Sequence, residues 1–207
     1  MAHYVGIDIS EGKEGQAVAI LNEEGYTESL YIQPVYDSEG LERLADRILE
    51  LAGPDAYVAI SGPRLPRASC EEVRKKGRDA ERELKTIHRT PCIDYFDNDL
   101  RCPLCGLKAG KYGWMRSSFI LFDSFANKLT DPDKQLIETV PSISFKRFER
   151  DESDVRLMLF GFKHVKRDGR LDLLDAVCCA VTARHFSKGL FEAFGSEEEG
   201  QIVIPKP

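Results

Sequence analysis

The amino-acid sequence predicts a mixed α/β domain, a sheet flanked by helices. Three observations carry that expectation: short β-rich runs separated by glycine-bearing turns open the chain, a strand–helix–strand succession follows, and a long apolar helix lies near the carboxyl end. With 207 residues and 42% hydrophobic content, the chain has material for one well-buried core and too little for two full-sized ones. We therefore expect a single domain over residues 1–207, with a loop-rich, cysteine-containing insertion at about 88–113.

The elements follow in order. His3 to Ile9 is rich in Val and Ile, Ser10 to Gly15 interrupts it, and Gln16 to Leu21 resumes the β-like pattern, which together read as a hairpin. Tyr26 to Ile32 completes a three-stranded meander. Ser38 to Ala52 reads as an amphipathic helix, with Leu41, Leu44, Ala45, Ile48, Leu49 and Leu51 on one side and Ser38 as a candidate cap; Gly53 and Pro54 stop it. Tyr57 to Ile60 is a short buried strand. Cys70 to Ile87 has helical composition and a heavily charged surface, its thin apolar side being Val73, Ala80, Leu84 and Ile87. Arg89 to Gly113 has little periodicity and several Pro, Gly and Cys, so it reads as a loop, where function often resides. Trp114 to Leu129 returns to helix, Gln135 to Val140 is the next strand, and Ile143 to Phe148 and Val155 to Phe162 are short helical or irregular pieces. Gln201 to Pro205 adds an edge strand.

The helix from Leu171 to Ser187 is the most informative element. Leu171, Leu174, Val177, Cys178 and Val181 recur at the spacing of a buried stripe, yet Asp172 and Asp175 share a face in its first turns. A carboxylate in apolar surroundings is costly unless it is paired, hydrogen-bonded or bound to a cation. Acids are also favoured in a helix's first turn by the dipole and free N–H groups, which accounts for Asp172 and less well for Asp175. Asp8 and Glu138 are likewise isolated acids in apolar strands, although a lone acid there also caps a loop or pairs with a lysine.

The formal net charge of −6 conceals an asymmetry. Gly62 to Arg116 holds 13 Lys and Arg against 8 Asp and Glu, and the remainder 16 against 27. A basic middle segment on an acidic body suits a phosphate-bearing partner beside an acidic, metal-binding centre; a solvated helix face accounts equally well for Arg74 to Lys76. No run approaches the ~18 apolar residues of a membrane helix, and the chain opens directly into a strand, so a cytoplasmic protein without membrane association is expected. Oligomeric state is not set by the sequence. Six cysteines, two of them adjacent in a helix, read as reduced thiols or metal ligands rather than a disulfide set.

If Asp8, Glu138, Asp172 and Asp175 converge, their mutual repulsion calls for a divalent cation, and Mg²⁺ or Mn²⁺ prefers such oxygen ligands. Two such ions about 4 Å apart activate a water and stabilise the leaving oxygen in phosphodiester cleavage. Several short motifs, in order, carry a resemblance: Val5 to Ile9 before a hairpin, Ala59 to Pro63 after the fourth strand, Ala80 to Leu84, Ile137 to Ser142, Asp172 to Val177 and Gly200 to Pro205. Together they resemble the domain-of-unknown-function-429 family, regarded as predicted RNase H-like nucleases. The resemblance spans nearly the whole chain and implies an RNase H-like fold, a five-stranded mixed sheet flanked by helices. It also implies Asp8 as the first-strand acid, Glu138 as the acid of the Glu-x-x-Pro-Ser element and Asp175 as the last-helix acid, with Asp172 beside it as a further metal ligand. The chain departs from the family where Ser61 replaces the usual acid after the fourth strand. Serine is a poorer metal ligand, so either the remaining acids suffice or catalysis is weakened.

Other features point elsewhere. Cys102 and Cys105, with His88 and Cys92 upstream, have the spacing of a structural Zn²⁺ site, although ordinary loop thiols are the preferred reading. Cys178 and Cys179 read as small core residues. Arg64, Arg67, Lys108 and Lys111 are candidates to follow a nucleic-acid backbone, with Trp114 as a stacking candidate; core packing is the preferred role of Trp114. Gly6 to Ser10 is also similar to the phosphate-binding hairpin of actin-like ATPases and sugar kinases, which close a second domain over the nucleotide. Three functions follow in order: a metal-dependent nuclease acting on nucleic acid through Asp8, Glu138 and Asp175; an RNase H-like module that binds nucleic acid or nucleotide without cleaving it; and a compact actin-like phosphotransferase.

Overall fold

The computed structural model describes residues 2–9, 15–35, 37–65, 77–86, 90, 113–148 and 171–206. β1 (Tyr4–Asp8) pairs antiparallel with β2 (Gln16–Leu21), and β2 antiparallel with β3 (Thr27–Gln33), giving the expected meander. α1 (Ser38–Ala52) is capped by Asp37 rather than by Ser38: the Asp37 carboxylate accepts the Gly40 N–H at 2.7 Å. β4 (Tyr57–Ser61) then returns parallel to β1, and β5 (Leu136–Thr139) adds parallel to β4. The order 3-2-1-4-5, with β2 alone reversed, is that of an RNase H-like sheet, and the fold is RNase H-like.

Among the described residues the sheet continues past the expected five strands to seven. β6 (Phe191–Phe194) and β7 (Ile202–Pro205) form a hairpin, and Ile202 pairs in parallel with Glu138 of β5. β7 is therefore an interior strand, not the edge strand its position in the chain suggests. The edge is β6, four half-buried or exposed residues directly behind a helix, too short to show a period in sequence.

Alternation along β1 divides the core into two layers. Val5 and Ile7 face one side with Ile20, Ile60, Leu44, Ile48, Phe122 and Phe125, beneath α1 and α3 (Gly113–Ala126). Tyr4 packs on the other with Ala59, Ile137, Ala176, Cys179 and Val203, beneath α6 (Leu171–Ser187). The described residues also include three shorter helices: α2 (Asp79–Glu83), α4 (Pro132–Gln135), which takes Gln135 out of the expected strand, and α5 (Pro141–Phe148), which begins on a proline just past β5. Val155 to Phe162 lies outside the described residues, as does most of the basic middle segment. No helix among the described residues is long and apolar enough to cross a membrane.

Candidate functional site

β1, β4 and β5 run parallel, so their carboxyl ends meet at one edge of the sheet. In this register Asp8 stands opposite Ser61, and Ser61 opposite Thr139, which puts the three side chains on the α6 face. The helix is brought down by Gly6. A Cβ on Gly6 would lie 1.9 Å from the Ala176 carbonyl oxygen and 2.3 Å from the Ala180 nitrogen, so only glycine permits α6 to rest on β1 at backbone contact. Because Ala176 is fixed there, its neighbour Asp175 and, one turn earlier, Asp172 overhang the end of β1.

The electrostatics record this convergence. Asp8 is buried, and its carboxyl is raised to about 7, first by burial and then by the Asp175 charge; a hydrogen bond from Ser61 opposes the rise and the Asp172 charge adds to it. Asp175, half-buried, is raised to about 6 by burial and by Asp172. Cys178 and Cys179, expected as core residues, are buried beneath them, and burial together with the nearby acids holds both thiols well above their ordinary range. They are therefore inert thiols rather than nucleophiles. Among the described residues, no Lys, Arg or His forms an ion pair with Asp8, Asp172 or Asp175.

Glu138 is placed differently. It stands opposite Ile60, one residue out of phase with Thr139, so its side chain leaves the sheet on the α1 and α3 face. There it meets Arg78. The guanidinium forks onto both Glu138 oxygens, Nη1 at 2.8 Å from Oε2 and Nη2 on Oε1, and the Arg64 backbone N–H donates to Oε2 at 2.8 Å. Arg78 Nε also donates to Glu81 Oε1 at 3.0 Å, and the Glu81 carboxylate accepts the backbone N–H groups of Arg78 and Thr90. Arg78 is only 1% exposed. Burial disfavours its charge, yet the Glu138 and Glu81 carboxylates outweigh burial and hold the guanidinium above its ordinary value. Burial raises the Glu138 carboxyl, and the guanidinium and the Arg64 N–H oppose that rise.

The expectation that Glu138 joins Asp8 and Asp175 in one cradle is thus corrected: strand alternation sends it to the opposite face, where a buried arginine occupies it. Arg78, Glu81 and Thr90 were not predicted to take part. The only local signal was Glu81 at the third position of a helix, where its carboxylate caps the helix start through the Arg78 N–H. Arg64 lies at the same edge, but its guanidinium is 3.8 Å from Asp133. Trp114 packs against the α1 and α3 layer, as preferred from sequence, and also borders a cavity of about 460 Å³ lined by Asp8, Ser61, Asp172, Asp175 and Glu138. Arg67, Lys108, Lys111 and the zinc candidates His88, Cys92, Cys102 and Cys105 lie outside the described residues.

Among the described residues, no three or more His, Cys, Asp and Glu side chains are arranged to hold a metal ion by themselves. The donors present are nevertheless of the right chemistry for Mg²⁺ or Mn²⁺. They are hard carboxylate oxygens that raise one another by their charge, and Mg²⁺ is commonly held by one or two carboxylates with water and a substrate phosphate completing the shell.

No family model matches the chain, and no curated protein does. Among solved structures, T. thermophilus RuvC in complex with a Holliday junction substrate is similar, at 16% identity and a TM-score of 0.47, over 91% of this chain and 95% of that one.

Proposed function

We propose that the chain is a divalent-metal-dependent phosphodiesterase acting on nucleic acid, with Asp8 and Asp175 as the metal-ligating carboxylates and Asp172 beside them. One observation supports this above all: three acids from opposite ends of the chain converge at the carboxyl edge of a parallel sheet, and among the described residues no Lys, Arg or His forms an ion pair with them. The resemblance to the domain-of-unknown-function-429 family favours the same reading.

A bound Mg²⁺ or Mn²⁺ would activate a water and stabilise the leaving oxygen at a phosphodiester. The chain's own residues have distinct parts. Ser61 hydrogen-bonds Asp8 and orients its carboxylate. Gly6 sets the height of α6 and with it the position of Asp175. Glu138, tied to Arg78 and to the Arg64 N–H, fixes the turn after β4 that forms one wall of the cavity.

The test is cleavage of labelled single-stranded, duplex and four-way-branched oligonucleotides, DNA and RNA, with Mg²⁺ or Mn²⁺. Metal-dependent cleavage lost in Asp8→Asn and Asp175→Asn is the expected result. A second reading, a module that binds without cleaving, is favoured by one specific observation: neutral Ser61 stands in register with Asp8, where an acid would complete the cradle. Retention of an oligonucleotide with no cleavage at any metal concentration would establish that reading in place of the first.

A further inference from the structure

Among the described residues, the acids at the carboxyl edge fall into two groups, one ion-paired to Arg78 and one with no ion pair. We infer that Arg78 occupies the place of a second cation, so that the site binds a single divalent ion and Glu138 is not a ligand to it. The inference rests on the metal-dependent reading above and goes beyond it by fixing the number of ions and removing one carboxylate from their shell.

Both Glu138 oxygens are already in use. Oε2 accepts Arg78 Nη1 and the Arg64 N–H, each at 2.8 Å, and Oε1 accepts Arg78 Nη2. A metal drawn to that carboxylate would have to displace a guanidinium with almost no exposure to water, leaving it charged and unpaired inside the protein. The guanidinium is itself locked. Its Nε is held by Glu81 at 3.0 Å and its Nη1 by the Glu199 carbonyl at 3.2 Å, and Glu81 is in turn held by Thr90. Four segments of the chain would have to move to free one glutamate.

Two ions about 4 Å apart need carboxylates on both sides of the pair. Among the described residues, the carboxylates at this edge that form no ion pair, Asp8, Asp172 and Asp175, lie on the α6 side of the sheet. On the other side a fixed positive charge is already installed. Arg78 is thus a positioning residue: through Glu138 it holds the turn at Arg64.

The experiment counts ions. Mn²⁺ is titrated into the full chain by calorimetry and by electron paramagnetic resonance, alone and with dimethyl phosphate standing in for a phosphodiester. One ion per chain in both conditions is expected, weakened at least about tenfold in Asp8→Asn and less than threefold in Glu138→Gln. The glutamine keeps the size of the side chain and one acceptor oxygen for Arg78 or the Arg64 N–H, and circular dichroism verifies its fold; the wild-type count stands whether or not that variant folds. Two ions per wild-type chain, or a tenfold loss in a folded Glu138→Gln, would overturn the inference and leave the metal-dependent reading intact. No bound ion in either condition would remove both.

Discussion

Asp8, Asp172 and Asp175 on one face of the sheet, and Glu138 and Glu81 on the other, lie at the same edge and were built from the same residue types. The first group keeps its repulsion: burial and neighbouring charge hold Asp8 near 7 and Asp175 near 6. The second group has Arg78 between its members and is tied to the backbone at Arg64, Arg78 and Thr90. The contrast separates two uses of buried charge. Glu138 and Glu81 take their cation from the same chain, whereas Asp8, Asp172 and Asp175 form no ion pair among the described residues.

That contrast can be broken most forcefully on the Arg78 side. Glu138→Ala leaves the guanidinium facing Glu81 alone and frees the Arg64 N–H, and is expected to cost about 3–5 kcal/mol in chemical denaturation, the usual loss when one member of a buried pair is removed. If the variant unfolds within ~1 kcal/mol of wild type, the pair does not brace the fold. Next in size, Asp8→Asn is expected to reduce cleavage by about a hundredfold or more while leaving metal-free stability unchanged or improved, the opposite of Glu138→Ala.

The third prediction concerns pH. For Asp8 and Asp175 the folded pKa lies above the unfolded value, so the folded state holds protons that the unfolded chain has released. Their contribution is fully present below pH ~4 and is lost as pH rises through 6 and 7. Metal-free protein should therefore lose on the order of 2 kcal/mol between pH 5 and 8, read as a falling Tm, and Asp8→Asn should flatten the slope. Added Mn²⁺ should restore stability at the upper end. The smallest effect is expected from Ser61→Asp, which supplies the acid the chain lacks. Mn²⁺ binding should tighten by about tenfold or less as metal-free stability falls, and unchanged binding would mean that position 61 does not face the ion.

Much of the fold was legible because its signals are local. The meander, α1 and its apolar side, β4, α3 and the long carboxyl-terminal helix announce themselves by period and by turn residues. The convergence of Asp8 with Asp175 was legible too, since an acid inside an apolar segment needs an explanation. What could not be read was the face on which Glu138 emerges. Two strands 130 residues apart share no local pattern that fixes their relative phase, and a shift of one residue reverses every side chain. Arg78 was hidden for the same reason. Within Cys70 to Ile87 it looks like one more surface charge, and the two-point fork to Glu138, 60 residues further on, leaves no local trace in the sequence.

Gly6 sets a final consequence. The height of Asp175 over Asp8 depends on main chain resting against main chain, with no side-chain rotamer to adjust it. A single methyl at position 6 would act as a shim, lifting the helix and widening the gap between the two carboxylates without altering either one. Selection or design could therefore tune the spacing of this pair from a residue that contributes no functional group of its own.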